Sequence, residues 1–296
     1  MNPAAGHGRS AHFREEVLEA ARRHWGGVTL ELTTRPGHAT ELARAHARGA
    51  DRIIAVGGDG TVHEVANGLL TAGLDRLPPL GVVPVGTGND FAKMTSSAKL
   101  RPAEALAAFA AGATRPFDVG YAWGEYFVNS LGVGLDADVA RRVNLYKHWP
   151  GSLGYMVAAL QAIVHRKSLR LAVEADGASW SGPTVVLEVG IGPCAGGVFY
   201  LTPEARPDDG LLDVCAIGPF GLGFLVTKAH RVLRGRHTTL PQVRMARGAH
   251  VRVSSADGPL TAHLDGELRA PGTDVIDVTL RKAALPVLVA AAMGQA

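Results

Sequence analysis

The chain has 296 residues with 37 Gly and 17 Pro, is 47% apolar and 19% charged, and sets 30 Lys+Arg against 27 Asp+Glu for a formal charge of +3. That balance excludes an intrinsically disordered chain, which combines few aliphatic residues with high net charge, and it lacks the concentrated basic stripe of a nucleic-acid binder. A length above the roughly 250 residues at which single hydrophobic cores split predicts two domains.

In chain order, the periodicity predicts a helix over Arg14 to Arg23, a strand over Val28 to Thr33, a helix over Ala39 to Gly49 and a short buried strand over Arg52 to Val56. A second round follows, with a helix over Val62 to Ala72, a strand over Leu80 to Val85 and an Ala-rich helix over Pro102 to Gly112. Strands alternating with helices of this length predict an α/β domain with a parallel sheet covered on both faces. The texture changes at Phe117. Strands are then predicted over Tyr126 to Asn129, Leu169 to Glu174, Thr184 to Ile191, Leu212 to Ile217, His250 to Ser254, Leu260 to Leu264 and Val275 to Arg281, joined mostly by Gly, Pro and Asp turns. That pattern predicts an antiparallel β domain, interrupted by helical inserts over Asp138 to His165, broken near Pro150, and over Leu222 to Leu233. The predicted division is residues 1–118, α/β, and residues 119–296, β-rich, with the C-terminal segment free to return toward the first domain.

The two cysteines, Cys194 and Cys215, sit in apolar surroundings without ligand spacing to a His or another Cys, so they are expected to be core residues in a reducing cytoplasm. The chain opens on Asn2-Pro3 with no charged-then-apolar stretch, so no leader is expected. The apolar runs Leu153 to Val164 and Ala283 to Met293 fall short of the ~18 residues that span a bilayer, and Gln161 and Pro286 interrupt them. Membrane contact is therefore expected to be peripheral.

Two loops carry the chemistry. In Ile53-Ile54-Ala55-Val56-Gly57-Gly58-Asp59-Gly60-Thr61-Val62-His63-Glu64, a buried strand runs into three glycines around an acid. Thr61 and Glu64 have the spacing of a capping box opening the next helix. Backbone N–H groups and the positive end of the dipole favour phosphate there, and glycines permit close approach. A carboxylate beside phosphate repels it unless a cation intervenes, so Asp59 points to Mg²⁺. Val82-Val83-Pro84-Val85-Gly86-Thr87-Gly88-Asn89-Asp90-Phe91 repeats the logic. Loops at the carboxyl ends of neighbouring parallel strands converge on one crevice, which lets Asp59 and Asp90 share an ion. Neither loop fits a P-loop or a Rossmann fingerprint.

Gly57-Gly58-Asp59-Gly60-Thr61, Gly86-Thr87-Gly88-Asn89-Asp90-Phe91-Ala92 and Asn2-Pro3-Ala4-Ala5-Gly6 together resemble the catalytic domain of the bacterial diacylglycerol kinase family, which is related to sphingosine and ceramide kinases. Phe117-Asp118-Val119-Gly120, Asn129 to Gly134, Pro207 to Asp213 and Leu264-Asp265-Gly266-Glu267 stand in the family's order. The first glycine motif by itself is shared with NAD kinases, which resemble this family in fold. The resemblance implies an NAD-kinase-like α/β domain, a β-sandwich domain and an active site in the cleft between them. It implies ATP and Mg²⁺ as cofactors and a γ-phosphate transfer to the hydroxyl of diacylglycerol or a similar lipid. The alternatives weighed are a NAD kinase and a non-catalytic nucleotide- or lipid-binding protein.

By the same resemblance, Asn2, Pro3, Ala4, Ala5, Gly6, Thr34, Gly57, Gly58, Asp59, Gly60, Thr61, Val62, His63, Glu64, Thr87, Gly88 and Asn89 match nucleotide-binding positions. Asp59, Asp90 and Asp118 match the acids of a Mg²⁺ and water network. Asp265 and Glu267 are both candidates for the base that takes the lipid hydroxyl proton, with Glu267 favoured. Asp209, with the backbone carbonyls of Arg206 and Leu211, matches a second, structural Mg²⁺ site. Leu153, Tyr155, Met156, Val157, Leu160 and Ile163, flanked by Arg141, Arg142, Lys147, His165, Arg166 and Lys167, have the composition of an interfacial segment. Arg231, Arg234, Arg236, Arg244 and Arg247 form a second basic stretch that could face anionic headgroups. The expected setting is cytoplasmic and peripheral at the inner membrane face, with transient contact to an anionic surface, a lipid substrate, no nucleic acid and a homodimer left open. In the family an aliphatic strand precedes the Asn-Pro motif, whereas here Met1 stands at its last residue, so this start is expected to be internal, a valine codon of the GTG type read as Met.

Overall fold

The structure is a computed structural model and describes residues 1–146 and 153–291. Lys147, Pro150, Met293 and the side chains of Leu153, Tyr155 and Met156 lie outside the described residues. Contacts divide the chain into two units, Met1–Phe117 with Ala283–Ala296, and Asp118–Lys282. The second unit is an insertion within the sequence of the first.

The first unit runs through α1 (Arg9–His12), α2 (Arg14–His24), α3 (His38–His46), β1 (Ile53–Gly57), α4 (Asp59–Leu70), β2 (Leu80–Pro84), α5 (Asp90–Met94) and α6 (Pro102–Ala111), and leaves through β3 (Ala113–Ala122). β1 and β2 pair in parallel from Ile53↔Leu80 to Gly57↔Pro84. Alternation sends Ile54, Val56, Val83 and Val85 to one face, where they pack with Val17, Ala20 and Ala21 of α2 and with Leu106 and Phe109 of α6. α3 lies against α4 so closely that a Cβ on Gly68 would stand 2.4 Å from the Thr40 carbonyl oxygen.

Two local readings are corrected. Val28 to Thr33 forms no ladder among the described residues. Its backbone is tied instead to the first residue, with the Thr33 N–H donating to the Met1 carbonyl at 3.0 Å and the Met1 ammonium donating to the Glu31 carbonyl at 2.8 Å. Between this segment and β1 lies a cavity of about 660 Å³ lined by Val28, Leu30, Ile53, Ala55, Val65 and Leu106 among others, so the two are too far apart to pair. The capping box also fails to form. α4 starts at Asp59 after Gly58 rather than after Thr61. The Glu64 carboxylate accepts the N–H of Gly37 at 2.9 Å and of Ala39 at 3.0 Å, capping α3 rather than its own helix.

The second unit continues with β4 (Glu125–Phe127), β5 (Ser130–Gly134), α7 (Leu135–Val143), α8 (Leu153–Val164), β6 (Leu169–Ala175), β7 (Ala178–Thr184), β8 (Val186–Gly190), β9 (Leu212–Ile217), α9 (Leu222–Leu233), β10 (Val243–Gly248), β11 (His250–Ser255), β12 (Ala262–Leu264) and β13 (Glu267–Arg269). β14 (Val275–Val289) starts in this unit and ends in the first. Its early residues pair antiparallel with β11, and Val287 pairs in parallel with Leu80 of β2. One antiparallel sheet has the order β10-β9-β8-β5-β12-β13. Its strands alternate strictly. Leu212, Val214 and Ala216, Leu187 and Val189, Leu131 and Val133, and Ala262 and Leu264 point to a core shared with Leu171, Val173, Val251, Val253, Ile276 and Val278 of the facing sheet. That is a β-sandwich. The opposite face of the same strands carries Asp213, Cys215, Glu188, Ser130 and His263.

Candidate active site

In the first unit three loops meet at the carboxyl ends of β1 and β2. A Cβ on Gly86 would lie 2.5 Å from Gly58 Cα, so the two glycine loops touch backbone to backbone and only glycine fits at that crossing. Gly6, at φ +60°, stands where a Cβ would be 2.2 Å from the Val85 carbonyl oxygen, which brings the Asn2 to Gly6 turn onto the end of β2. Asn2 joins the first loop directly, donating from Nδ2 to Thr61 Oγ1 at 3.0 Å, and its Oδ1 accepts the Ala4 N–H at 3.0 Å.

The acids follow from that crossing. Asp59 is the first residue of α4, and its Oδ1 accepts the Phe91 N–H at 3.2 Å, tying the first loop to the start of α5. Asp90 is buried and receives Lys93 Nζ on Oδ1 at 2.6 Å. Asn89 adopts the left-handed conformation and exchanges hydrogen bonds with Gly86, its Oδ1 accepting the Gly86 N–H at 3.0 Å. Gly88 lies between it and the exposed Thr87, which faces solvent. Thr34 is also exposed, its hydroxyl 3.2 Å from His38 Nδ1. Val62 and His63 are buried within α4, so their side chains belong to the interior. Gly57, Gly60, Pro3 and Ala5 line the same turns. Lys93 was not singled out from the sequence; its signal is a cation three residues after Asp90 on a helix.

In the second unit, Asp118 is buried and its carboxylate accepts the Gly210 N–H at 2.7 Å, while its own N–H donates to the Pro207 carbonyl at 2.6 Å. It thereby fixes the turn that carries Asp209. Asp209 Oδ1 accepts the Leu211 N–H at 3.1 Å. A recess of about 590 Å³ opens there, lined by Pro203, Glu204, Ala205, Arg206, Asp209 and Arg247. Beneath it Asp213 Oδ1 accepts Arg247 Nε at 2.8 Å, and Asp213 Oδ2 is buried without a hydrogen-bond partner. Burial raises the Asp213 pKa, the Arg247 guanidinium opposes that rise, and the charges of Asp209 and Glu204 add to it. The Asp209 and Glu204 carboxylates at the recess are hard oxygen donors of the kind that suits a Mg²⁺ ion with water completing the shell, and Arg206 and Arg247 line the same recess. Among the described residues no three His, Cys, Asp or Glu side chains cluster as ligands. Arg247 is therefore engaged inward rather than free in the basic stretch.

The turn between β12 and β13 is a two-residue hairpin, Leu264 pairing with Glu267 and the chain reversing through Asp265 at φ 52° and Gly266 at φ 89°, the mirror-image turn that Asp-Gly favours. Its two acids differ. Asp265 is buried, and its carboxylate accepts the N–H groups of Val128 at 2.9 Å, Asn129 at 2.8 Å and Ser130 at 3.1 Å. Glu267 is exposed. β13 is pinned by Arg269, whose guanidinium grips Glu125 at 2.5 Å and is held above its ordinary pKa mainly by that hydrogen bond.

α8 turns Ala158, Ala159 and Ala162 inward and leaves Leu160 and Val164 exposed by 62% and 63%. Arg166 is spent on the chain itself, donating to the carbonyls of Ile163 at 2.7 Å and Phe220 at 2.8 Å. Arg141 and Arg142 both pair with Asp138, whose pKa is lowered by them against the effect of partial burial. Among the described residues no helix is long and apolar enough to cross a membrane.

Comparison with known proteins accounts for both units. Residues 1–122 match the diacylglycerol kinase catalytic domain, and residues 129–289 match the YegS C-terminal NAD kinase beta sandwich-like domain. A diacylglycerol kinase of Bacillus subtilis is 31% identical over 271 residues, covering 90% of this chain and 88% of its own length. A protein named "probable lipid kinase YegS-like" from Xanthomonas campestris pv. campestris is 33% identical over 263 residues, covering 85% and 84%. The fold is that of a diacylglycerol kinase crystal structure from Bacillus anthracis, with a TM-score of 0.73 at 20% identity over 97% of this chain and 94% of that one. It is also that of an Archaeoglobus fulgidus NAD kinase, with a TM-score of 0.54 at 17% identity over 98% and 91%. With its glycine loops, buried aspartates and hairpin turn standing in matched domains along nearly its whole length, the chain belongs to the diacylglycerol kinase family of lipid kinases.

Proposed function

We propose that the protein transfers the γ-phosphate of ATP to the hydroxyl of diacylglycerol or a similar lipid. The observation that carries this is the crossing of Gly58 on Gly86, which gathers the Asn2 turn, Asp59 and Asp90 around two glycine loops at the N-termini of α4 and α5. Phosphoryl transfer depends mainly on positioning and electrostatics, and such loops hold phosphate oxygens without a side-chain clash. Asp59 and Asp90 would hold Mg²⁺, which neutralises charge on the phosphates when bound. Glu267 takes the acceptor proton: it is exposed, whereas the Asp265 carboxylate is occupied by backbone N–H groups. Asp209, with the backbone carbonyls of Arg206 and Leu211, would hold a second, structural Mg²⁺. The exposed apolar face of α8 supports contact with an anionic membrane surface, where the lipid acceptor resides.

The test is transfer of labelled γ-phosphate from Mg-ATP to a lipid panel in mixed micelles, with NAD as a parallel acceptor. Label is expected in diacylglycerol or a related lipid alcohol, and label in NAD with none in any lipid overturns the proposal.

A further inference from the structure

We propose that His263 and Glu188 form a buried positioning pair that holds the Asp265-Gly266-Glu267 turn for proton transfer. The proposal rests on the reading of Glu267 as the base. His263 is in β12, Gly132 faces it across the ladder in β5, and Glu188 faces Gly132 from β8. The three therefore form one row on the polar face of the sheet. Because the middle position has no side chain, the two outer groups reach across it. His263 Nε2 lies 4.0 Å from Glu188 Oε2, with the side chains 5% and 1% exposed.

The other ring nitrogen faces the turn. His263 Nδ1 accepts the Gly266 N–H at 3.2 Å. That bond requires Nδ1 to be unprotonated, so the imidazole proton sits on Nε2, toward the Glu188 carboxylate. The charge of Glu188 thus favours the one tautomer that can hold Gly266. Gly266 is at φ 89°, next to Glu267, so its N–H fixes the direction in which the chain enters β13.

A buried carboxylate costs several kcal/mol unless compensated. Every other residue of β8 is apolar or Gly, so an aliphatic side chain at position 188 would fill the strand at lower cost. What the acid and the imidazole supply together is a fixed acceptor under the turn. Asp265 secures the first half of the same turn through Val128, Asn129 and Ser130, so one acid anchors its entry and the pair anchors its exit.

The test compares His263→Leu, His263→Asn and Glu188→Gln. The readouts are steady-state phosphate transfer from Mg-ATP to dioleoylglycerol in mixed micelles, and amide exchange of residues 264–268. His263→Leu is expected to lower kcat by about tenfold or more with KM for ATP within about twofold, and to speed exchange at Gly266. His263→Asn should restore much of both, because its Oδ1 sits near the position of Nδ1. Glu188→Gln keeps the shape of the side chain and removes only its charge from beside Nε2, 4.0 Å away, so it should keep kcat within about threefold. A His263→Leu protein with unchanged kcat and unchanged exchange overturns the proposal, as does a His263→Asn protein that shares the whole loss. If His263→Leu does not fold, the His263→Asn and Glu188→Gln comparisons decide by the same two readouts. A Glu267→Gln protein at the wild-type rate overturns the base assignment alone, and Gly266 exchange still judges the hold on the turn.

Discussion

Removing the Asp265 carboxylate should unfold the protein more readily before it affects any chemistry. In Asp265→Ala the N–H groups of Val128, Asn129 and Ser130 lose an acceptor within 3.1 Å at a buried site. Each orphaned donor costs about 1–3 kcal/mol, and shared relaxation keeps the total near 3–5 kcal/mol. That is a large part of the roughly 5–15 kcal/mol that holds a domain folded. For a unit spanning Asp118–Lys282 it corresponds to a melting temperature lower by about 6–15 °C. Asp265→Asn keeps one acceptor oxygen and should fall by about half as much. Glu267→Gln, at an exposed position, should melt within about 1 °C of wild type while losing phosphate transfer. The assay is a thermal melt followed by circular dichroism, paired with amide exchange at residues 128–130. An Asp265→Ala protein that melts like wild type and keeps those amides protected, yet transfers no phosphate, refutes the reasoning and makes Asp265 the base.

Three further outcomes are expected. Gly86→Ala places a Cβ 2.5 Å from Gly58 Cα, so the loops must part, and calorimetry should show ATP affinity reduced by about tenfold or more with the second unit's stability unchanged. Burial holds the Asp213 pKa above its usual value of 3.8 despite Arg247, so this group favours folding while protonated and withdraws that support as pH rises through its folded-state pKa. Arg247→Met removes the opposing guanidinium, raises that pKa further and should steepen the loss of urea resistance between acid and neutral pH, whereas Asp213→Asn should flatten it. Leu160→Asp with Val164→Asp should abolish sedimentation with anionic vesicles and leave the circular dichroism spectrum unchanged, because both side chains are exposed in the free protein.

Much of this was legible from residue order because glycine leaves a distinctive mark. Gly57 to Thr61 and Gly86 to Asp90 follow apolar strands, and backbone crossings of this kind tolerate little else. Asp-Gly at positions 265–266 is the dipeptide that the mirror-image hairpin turn favours. The apolar run of Leu212 to Ile217, broken only by Asp213, marked a buried strand. What escaped depends on long-range partners. Val28 to Thr33 has the composition of a strand, yet a ladder needs a neighbour that local sequence does not display. Thr61 and Glu64 have capping-box spacing, but the amides of Gly37 and Ala39 were better partners for the acid. β3 and β14 contain Pro116 and Pro286, which discourage a strand reading and hid their full length. The sorting of Asp265 from Glu267 turned on Val128 to Ser130, more than a hundred residues earlier in the chain.

The insertion of one unit within the other sets an order of events during synthesis. Residues 118–282 leave the ribosome as a continuous stretch that contains all the strands of its own sandwich except the start of β3 and the end of β14. The first unit, although its loops and helices precede the insert, lacks the partner of Leu80 until Val287 emerges after it. Its open β2 edge must wait through the making of the whole insert, exposed to any strand that arrives first. The unit whose first strands precede the insert is thus completed only after it, and its glycine loops become fully supported once Val287 has joined β2.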